Sequence, residues 1–358
     1  MNTGSVFALA DHDMINPGSF TALLARLDPV GLVEHSHGRI PSPELGHCTD
    51  DAGRALGLAA RLYPQPGTLE VADACLTQLE RSLLPNGSFV LRLDAEGWPT
   101  GVGRSDDADA RAVWGLASAT VSRLPSSLRT RAETLLAEVR TLESHHPRAA
   151  AQLVVAGAAL MVDETYSAWG QRLIVANRSA LPDSSAAQSD WGWPEPRLTY
   201  ANGLVVEALL DLGALIDVRE RLCCAIDVLH WLIEHETAPG GHFSFTPVGG
   251  RGPDDPRGYD QQPIEAWALA GACARAADLT HNPVWPGVCA RITSWFDGAN
   301  DQQVRMWDPF TGAAYDGLTA TGVNLNQGAE STLALIGTVH ALEIASQSFP
   351  AAAMRSMR

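Results

Sequence analysis

Carboxylates, arginines and carboxamides recur in short clusters along this chain, and each cluster stands where an Ala- and Leu-rich segment begins. Within a cluster the polar residues are spaced by three or four, as in Asp50 and Arg54 or Asp107 and Arg111. In a helix this spacing places two side chains on one face, one turn apart. Such groups can exchange protons with a substrate and form hydrogen bonds with many hydroxyls. The clusters therefore predict a shared polar pocket.

Six clusters supply candidates for this pocket. Helix capping explains many of their Ser, Thr and Asp residues, because these types are favoured at helix N-termini. Capping alone does not require a second polar residue one turn inside the helix, and several clusters have one. The side chains that we predict to bind a substrate are Asp51, Arg54, Asp107, Asp109, Arg111, Arg148, Trp193, Tyr200, Asn202, Asp260, Gln261, Gln262, Asn326, Gln327 and Glu330.

Two carboxyl groups on opposite sides of a glycosidic bond can act as acid and base in its hydrolysis. Asp50 stands at a predicted helix start, where free N–H groups and the helix dipole favour the ionised form. Glu265 lies between Ile264 and Trp267, and desolvation raises the pKa of a carboxyl group. We therefore predict Asp50 as the base and Glu265 as the acid. The alternatives are Asp51, Asp107, Asp109 and Glu330.

The spacing of the clusters predicts the fold. Their markers Asp51, Asp107, Arg148, Asn202, Glu265 and Glu330 are separated by 56, 41, 54, 63 and 65 residues. Each interval accommodates two helices with their loops. The segments that the clusters open, such as 149–162, carry little charge, whereas the second segments, such as 126–142, have one apolar and one charged face. The sequence therefore predicts a single all-α domain over 1–358, an (α/α)6 toroid of six helical hairpins.

Three long loops, 86–104, 240–259 and 301–324, lead from an outer helix to a cluster. We expect them to share one rim of the toroid, where loops on a rigid scaffold commonly carry function. The alternating patterns of 87–91 and 241–245 predict short β-hairpins on that rim. Rim tryptophans can stack on sugar rings or pack in the core, and four of them lie in loops: Trp98, Trp191, Trp193 and Trp307.

Composition excludes several functions. The net charge of −16 disfavours a nucleic-acid partner, and all 25 basic residues are arginines, which excludes lysine-based catalysis. Six cysteines without a CxxC motif are typical of a reduced, cytoplasmic protein. No segment is typical of a signal peptide or a membrane span. We therefore predict no membrane partner, no cofactor and no metal, and composition does not indicate an oligomeric state.

Four motifs carry a resemblance to a known group. The segments 47–56 (HCTDDAGRAL), 103–114 (GRSDDADARAVW), 259–266 (YDQQPIEA) and 324–332 (NLNQGAEST) resemble bacterial six-hairpin glycosidases, over about residues 28–345. Within that group the sequence is similar to the actinobacterial hydrolases of methylmannose polysaccharide. The resemblance implies an endo-acting α-1,4-mannosidase of the cytoplasm. Inversion at the anomeric carbon is expected if the two carboxyl groups leave room for a water molecule.

The sequence departs from this group at two places. Ala52 and Gly53 follow the Asp-Asp pair where members of the group tend to carry Asn. Ala149 and Ala150 follow Pro-Arg where members tend to carry an aromatic residue. The first change affects the contacts around Asp51, and the second widens the predicted pocket. Substrate specificity therefore stays open, and mannose is implied by the resemblance alone.

Other functions remain possible on this fold. A sugar epimerase needs histidines in the pore, and the clusters offer only His146. A terpene cyclase needs an apolar pocket, which these polar clusters do not predict. A lyase acting on uronates would favour basic subsites, against the net charge. A carbohydrate-binding toroid without catalysis would retain the same pocket and show no turnover.

Overall fold

The computed structural model describes residues 16–140, 142–183, 191–215 and 219–348, without the side chains of 102–104. Over these ranges the chain forms twelve α-helices. They are α1 (Thr21–Leu24), α2 (Thr49–Leu62), α3 (Thr68–Ser82), α4 (Asp106–Thr120), α5 (Ser126–Glu138), α6 (Pro147–Leu160), α7 (Glu164–Asn177), α8 (Asn202–Leu215), α9 (Arg219–Glu236), α10 (Pro263–Thr280), α11 (Val284–Ser294) and α12 (Ala329–Gln347).

The even-numbered helices form a closed inner ring, since each packs against the next and α12 returns to α2. Helices α3, α5, α7, α9 and α11 each pack on the preceding inner helix, and the short α1 contacts α12 and α3. The inner helices begin at the predicted clusters. Many of their buried residues are Ala, whose small side chain allows helices to approach closely, and buried Leu residues fill the remaining space. The predicted all-α (α/α)6 toroid is confirmed.

Glycine brings α2 and α4 into backbone contact. A Cβ atom added at Gly53 would lie 2.4 Å from the carbonyl oxygen of Arg111. One added at Gly115 would lie 2.3 Å from the carbonyl oxygen of Gly53. The two helices can therefore pack at this distance only because both positions lack a side chain, and the packing fixes the Asp-Asp motif of α2 beside that of α4.

In the described part of the chain, seven short strands form antiparallel hairpins or ribbons on the rim from which the inner helices start. The predicted hairpin in 86–104 is confirmed as β4–β5, and β3 extends it on the other side of β4. Thr49 anchors this sheet to α2, because its hydroxyl donates to the carbonyl of Val90 over 2.6 Å. The strands are β1 (Ser36–His37), β2 (Ile40–Pro41), β3 (His47–Cys48), β4 (Val90–Leu93), β5 (Pro99–Arg104), β6 (Gly317–Thr319) and β7 (Gly322–Asn324).

The strand expected over 241–245 is absent from the described structure, which shows only a single bridge between Thr237 and Phe243. The alternation there reflects burial, because Phe243 and Phe245 stack with their ring centroids 5.5 Å apart inside the core. The hairpins β1–β2 and β6–β7 were not predicted. Within the described ranges no helix is both long and apolar enough to span a membrane.

Candidate active site

Six polar side chains meet where the inner helices begin, and we call them the central cluster: Asp50, Arg54, Asp107, Arg111, Tyr200 and Glu330. Arg54 forms an ion pair of 2.8 Å with Glu330. The Tyr200 hydroxyl donates to Asp107 over 3.0 Å and accepts from Arg111 over 3.3 Å. Asp50 lies within electrostatic reach of both arginines and of the other two carboxylates. The structure therefore brings together three carboxyl groups, two guanidinium groups and a phenol.

Asp50 is the least satisfied carboxyl group of the central cluster. Its Oδ1 atom is buried without a hydrogen-bond partner among the described residues. Burial raises the pKa of Asp50, although the positive charges of Arg54 and Arg111 oppose the shift. A buried carboxyl oxygen without a donor favours the protonated form. Desolvation therefore outweighs the stabilisation that its position at a helix start led us to expect.

Further hydrogen bonds, outside the central cluster, fix the side chains of Arg54 and Arg111. Arg54 is buried and also forms a hydrogen bond of 3.1 Å with the buried Asp51 in the same helix. Arg111 donates to the side-chain oxygen of Gln152 over 2.8 Å. Gln152 was not predicted as a site residue, although it is the one polar side chain that follows Arg148 in the otherwise apolar sequence of α6. These contacts fix the guanidinium groups, so that their remaining N–H groups have defined directions.

Glu265 makes its contacts with α8. Its carboxylate accepts from the backbone N–H groups of Ala201 and Asn202 over 2.5 and 3.3 Å, and from the Asn202 side chain over 3.3 Å. Burial and the nearby Glu236 raise the pKa of Glu265 to about 8. These contacts satisfy free donors at the start of α8. The role of Glu265 as the acid stays a prediction, and its contacts favour a capping role.

A second polar network holds the segment before α8. Arg148 donates to Glu195 over 2.5 Å and to Asn202 over 2.9 Å, and it also reaches the carbonyl oxygen of Tyr200 over 3.1 Å. The Trp193 indole donates to Glu195 over 3.1 Å, and Trp193 is only 2% exposed. In this structure Trp193 therefore has no open face for stacking on a ligand. Arg148 and Asn202 position Tyr200, which belongs to the central cluster.

Three more predicted residues fix rim loops. Gln261 donates to Asp301 over 2.7 Å, and Gln327 donates to Asp308 over 2.9 Å. Asp109 accepts from the backbone N–H of Phe89 over 2.6 Å. All three predicted side chains are buried, with exposures of 0 to 1%. The structure places them behind the site surface, where they hold the loops that surround the central cluster.

The remaining predicted residues lie at the outer rim. Asp260 is exposed, and Gln262 and Asn326 are half-buried, with the Asn326 side-chain oxygen accepting from Gly38 over 3.0 Å. Trp98, in the turn of the β4–β5 hairpin, is 70% exposed. Trp307 is 6% exposed and its indole is bonded to Asp297. Of these two tryptophans, only Trp98 therefore presents a face that can stack on a ligand.

One buried group combines ligand types that metals prefer. Glu34, Cys48 and Asp51 place their ligand atoms within 4.8 Å of one another. Both carboxylates already have cationic partners, because Glu34 pairs with Arg92 over 2.6 Å and Asp51 bonds to Arg54. Ion pairing therefore accounts for the positions of these acids, and we assign no metal to them.

Comparison with known proteins places the fold. No family model matches the sequence, and no curated protein matches it. Similar solved structures include cellobiose 2-epimerase from Bacillus thermoamylovorans, with 13% identity, a TM-score of 0.67, and coverage of 92% of this chain and 96% of that chain. A D-mannose isomerase has 14% identity and a TM-score of 0.64, with coverage of 92% of this chain and 95% of that chain. The GH76 α-mannanase from Bacteroides thetaiotaomicron has 11% identity and a TM-score of 0.61, with coverage of 91% of this chain and 92% of that chain.

At these identities the likeness establishes the fold. The described chain is an (α/α)6 barrel, and its end with the central cluster is the end from which the inner helices start. The similar structures are covered almost completely, so the toroid is the shared unit rather than an inserted part. A fold of this kind hosts many reactions, so the side chains of the central cluster determine the chemistry.

Proposed function

We propose that this protein is a glycoside hydrolase that cleaves α-mannosidic linkages inside a polysaccharide chain by acid–base catalysis. The observation that carries the proposal is the position of Asp50 on α2, between Asp107 on the neighbouring α4 and Glu330 on the neighbouring α12. Glycoside hydrolysis needs one protonated and one ionised carboxyl group around the scissile bond. The central cluster offers both kinds within one group of neighbouring side chains.

Asp50 fits the acid in this proposal. Its buried, unpartnered Oδ1 and its raised pKa favour the protonated form, which can give a proton to the departing sugar oxygen. This reverses the role expected from its position at a helix start. Glu330 fits the base, because Arg54 holds its carboxylate at 2.8 Å and 38% of the side chain is exposed to solvent. The base takes a proton from water as the water oxygen bonds to the anomeric carbon.

The rest of the cluster fits the binding of a sugar. Asp107 and Tyr200 can bind hydroxyl groups, and the free N–H groups of Arg54 and Arg111 can donate to ring or hydroxyl oxygens. Hydrogen bonds to charged groups are the stronger ones, so these side chains can hold a sugar in one orientation. The exposed Trp98 is suited to stack on a more distant sugar of a chain.

The choice of mannose rests on two supports. The sequence motifs resemble hydrolases of methylmannose polysaccharide, and the fold is shared with a GH76 α-mannanase. The resemblance also supplies the α-1,4 linkage, the endo mode of cleavage and the methylated substrate. The open rim, with half-buried Gln262 and exposed Asp260 beyond the central cluster, is compatible with a substrate longer than one sugar.

Epimerisation or isomerisation of a sugar is the second candidate, because cellobiose 2-epimerase and D-mannose isomerase share the fold. Such reactions move a proton at a carbon next to a carbonyl, which usually requires histidine or a similar base. In the described part of the chain, no histidine forms a hydrogen bond or ion pair with the central cluster. This observation favours hydrolysis.

One labelling experiment separates the two candidates. The protein is incubated with α-1,4-linked manno-oligosaccharides, plain and methylated, in H2(18)O and separately in D2O, and the products are analysed by mass spectrometry and NMR. Hydrolysis gives shorter fragments with the heavy oxygen at each new reducing end. Epimerisation or isomerisation leaves the chain length unchanged and introduces carbon-bound deuterium. Absence of shorter fragments from every mannoside would overturn the proposal.

Asp50→Asn and a matched control complete the test. Asp227 lies on the outer helix α9, is exposed and makes no hydrogen bond or ion pair with the described residues, so Asp227→Asn changes the same chemical group away from the cluster. Cleavage should be lost in Asp50→Asn and retained in Asp227→Asn. Sugar binding without cleavage in the unmodified protein would instead support a carbohydrate-binding toroid.

A further inference from the structure

A cavity of about 290 Å³ lies inside the inner ring, on the far side of Arg54 and Arg111 from the rim. Those two residues close its inner end and are only 4% and 2% exposed. At its other end it is lined by Val162, which is 78% exposed, and by the exposed Asp278. Both stand at the C-terminal ends of inner helices. The cavity therefore opens at the end of the barrel opposite to the central cluster.

The walls of this cavity are mostly apolar. Leu58, Val155 and Leu204 line it together with Trp114 and Trp267. The two indoles meet edge to face, with centroids 6.2 Å apart. The indole N–H of Trp114 is buried without a hydrogen-bond partner among the described residues. A flat, partly apolar ligand that carries hydrogen-bonding groups would complement these walls.

Of the charged side chains that line the cavity, Arg61 and Glu207 have no close partner among the described residues. Arg61 is exposed to the cavity, with its Cζ atom 4.9 Å from the ring centroid of Trp114, and no described carboxylate lies within 4.0 Å of its guanidinium group. Glu207 forms no hydrogen bond with the described residues, and burial and the nearby Asp211 raise its pKa to about 7. Charged side chains that line an apolar cavity need polar partners there, so both side chains favour a ligand between them.

The charges around the cavity nearly cancel. Arg275 at the open end is paired with Asp211 over 2.6 Å and with Asp278 over 2.5 Å. Burial lowers the pKa of His340 to about 4, which leaves this residue neutral at pH 7. A small anion would meet these acids in a chain of net charge −16, and a small cation would meet the guanidinium groups. The lining therefore favours a neutral ligand.

We propose that this cavity binds a neutral cyclic polyol of monosaccharide size. Hydroxyl groups can donate to the Glu207 carboxylate and accept from the Arg61 guanidinium, whereas a purely apolar molecule would leave both unpaired. The C–H face of a sugar ring can pack on the indoles of Trp114 and Trp267. The cavity volume is at the lower end of ligand pockets, about 300 Å³, so it accommodates one ring and not a chain.

This site does not depend on the proposed hydrolase activity, and its test measures binding alone. D-mannose, D-glucose and myo-inositol are titrated against the full chain by saturation-transfer NMR and calorimetry. Ala158→Leu is designed to fill the cavity from α6 without removing a polar group. Arg61→Met removes the guanidinium donors, whereas Glu207→Gln replaces a charged acceptor with a neutral amide. Arg61→Met should weaken binding by about tenfold or more and Glu207→Gln by less, because the amide oxygen still accepts a hydrogen bond.

Matched controls separate the cavity from the rim and from the surface. Arg172→Met on α7 and Glu234→Gln on α9 change exposed side chains of the same types and should leave the Kd unchanged. Asp50→Asn at the rim should retain the cavity-bound sugar. The same Kd in Ala158→Leu and in the unmodified protein, with the melting temperature retained, would overturn the proposal. Stronger competition by a monocarboxylate or an amino acid would also overturn it.

Discussion

Arg54 and Glu330 join two inner helices: Nη1 of the guanidinium group on α2 lies 2.8 Å from Oε2 of the carboxylate on α12. The same nitrogen lies 3.1 Å from Asp51. Arg54 is buried whereas Glu330 remains 38% exposed at its side chain, so the ion pair anchors an accessible carboxylate beside Asp50. An arginine buried in this way keeps its charge under all ordinary conditions and therefore sets the electrostatics of the central cluster.

Replacing Asp50 should separate activity from stability. In Asp50→Asn we expect turnover of an α-mannoside to fall by about 100-fold or more, the range of a lost general acid. The melting temperature should stay the same or rise, because the buried Oδ1 has no donor and the amide carries no charge. Initial rates and thermal unfolding are measured on the same samples. A rate loss below tenfold would remove Asp50 from the catalytic pair.

Glu330→Gln should behave like a lost base. The amide remains close to Arg54 but cannot take a proton from water, so kcat should fall by about 100-fold with a smaller change in KM. Added azide, an anionic nucleophile that needs no base, should restore part of the rate by bonding to the anomeric carbon in place of water, which gives a glycosyl azide with the same inverted configuration as the hydrolysis product. Unchanged kcat in Glu330→Gln would transfer the role to Asp107, which Asp107→Asn would then test.

Glu265→Gln should destabilise the protein more than it slows the reaction. Its amide nitrogen would face the backbone donors of Ala201 and Asn202, which now donate to the carboxylate. An unsatisfied buried donor costs about 1–3 kcal/mol, measurable by urea unfolding. The rate at a temperature where the variant is folded should fall by less than tenfold. A loss of 100-fold with normal stability would restore Glu265 as the acid.

The arrangement of the ring could be predicted from the sequence because it depends on periodicity. Clusters every 41 to 65 residues mark the starts of the inner helices, and charge-poor segments identify those helices as buried. The placement of Asp50 and Arg54 on one face of α2 follows from a spacing of four. These features are local, and local spacing determines which side chains share a face.

The partner of each polar side chain could not be predicted in this way. Asn202 and Glu265 stand 63 residues apart, and their contact depends on how α8 and α10 are rotated about their axes. Gln261 and Gln327 belong to the predicted clusters, but their side chains form hydrogen bonds with the loop carboxylates of Asp301 and Asp308. They therefore stabilise the loops and do not face the central cluster. Trp193 is buried in the hydrophobic core, which its position in a predicted loop did not indicate.

The pH dependence of stability should reveal the buried Glu236. Burial raises its pKa from 4.5 to about 7, and its Oε2 atom has no partner in the described structure. The folded state therefore binds this proton more tightly than the unfolded state, so the contribution is full below about pH 4.5 and is lost as the pH rises through 7. The melting temperature should fall over this interval, and Glu236→Gln should reduce the fall. The neighbouring exposed Glu234→Gln is the control, and equal slopes in both variants would contradict the assignment.

Gly53 should be intolerant of any side chain, although it lies beside Asp50 and Asp51 and carries no functional group itself. A Cβ atom there would lie 2.4 Å from the carbonyl oxygen of Arg111, and backbone cannot move aside as a flexible side chain can. Gly53→Ala should therefore lower the free energy of unfolding by about 1–3 kcal/mol, the usual cost of overpacking. Gly287→Ala on α11 is the matched control, since nothing lies within 4 Å of its added Cβ, and the better helix propensity of Ala should stabilise it by about 0.5–1 kcal/mol. Both values come from urea unfolding at one pH. If the two variants are equally stable, the close approach of α2 to α4 is not what positions the central cluster.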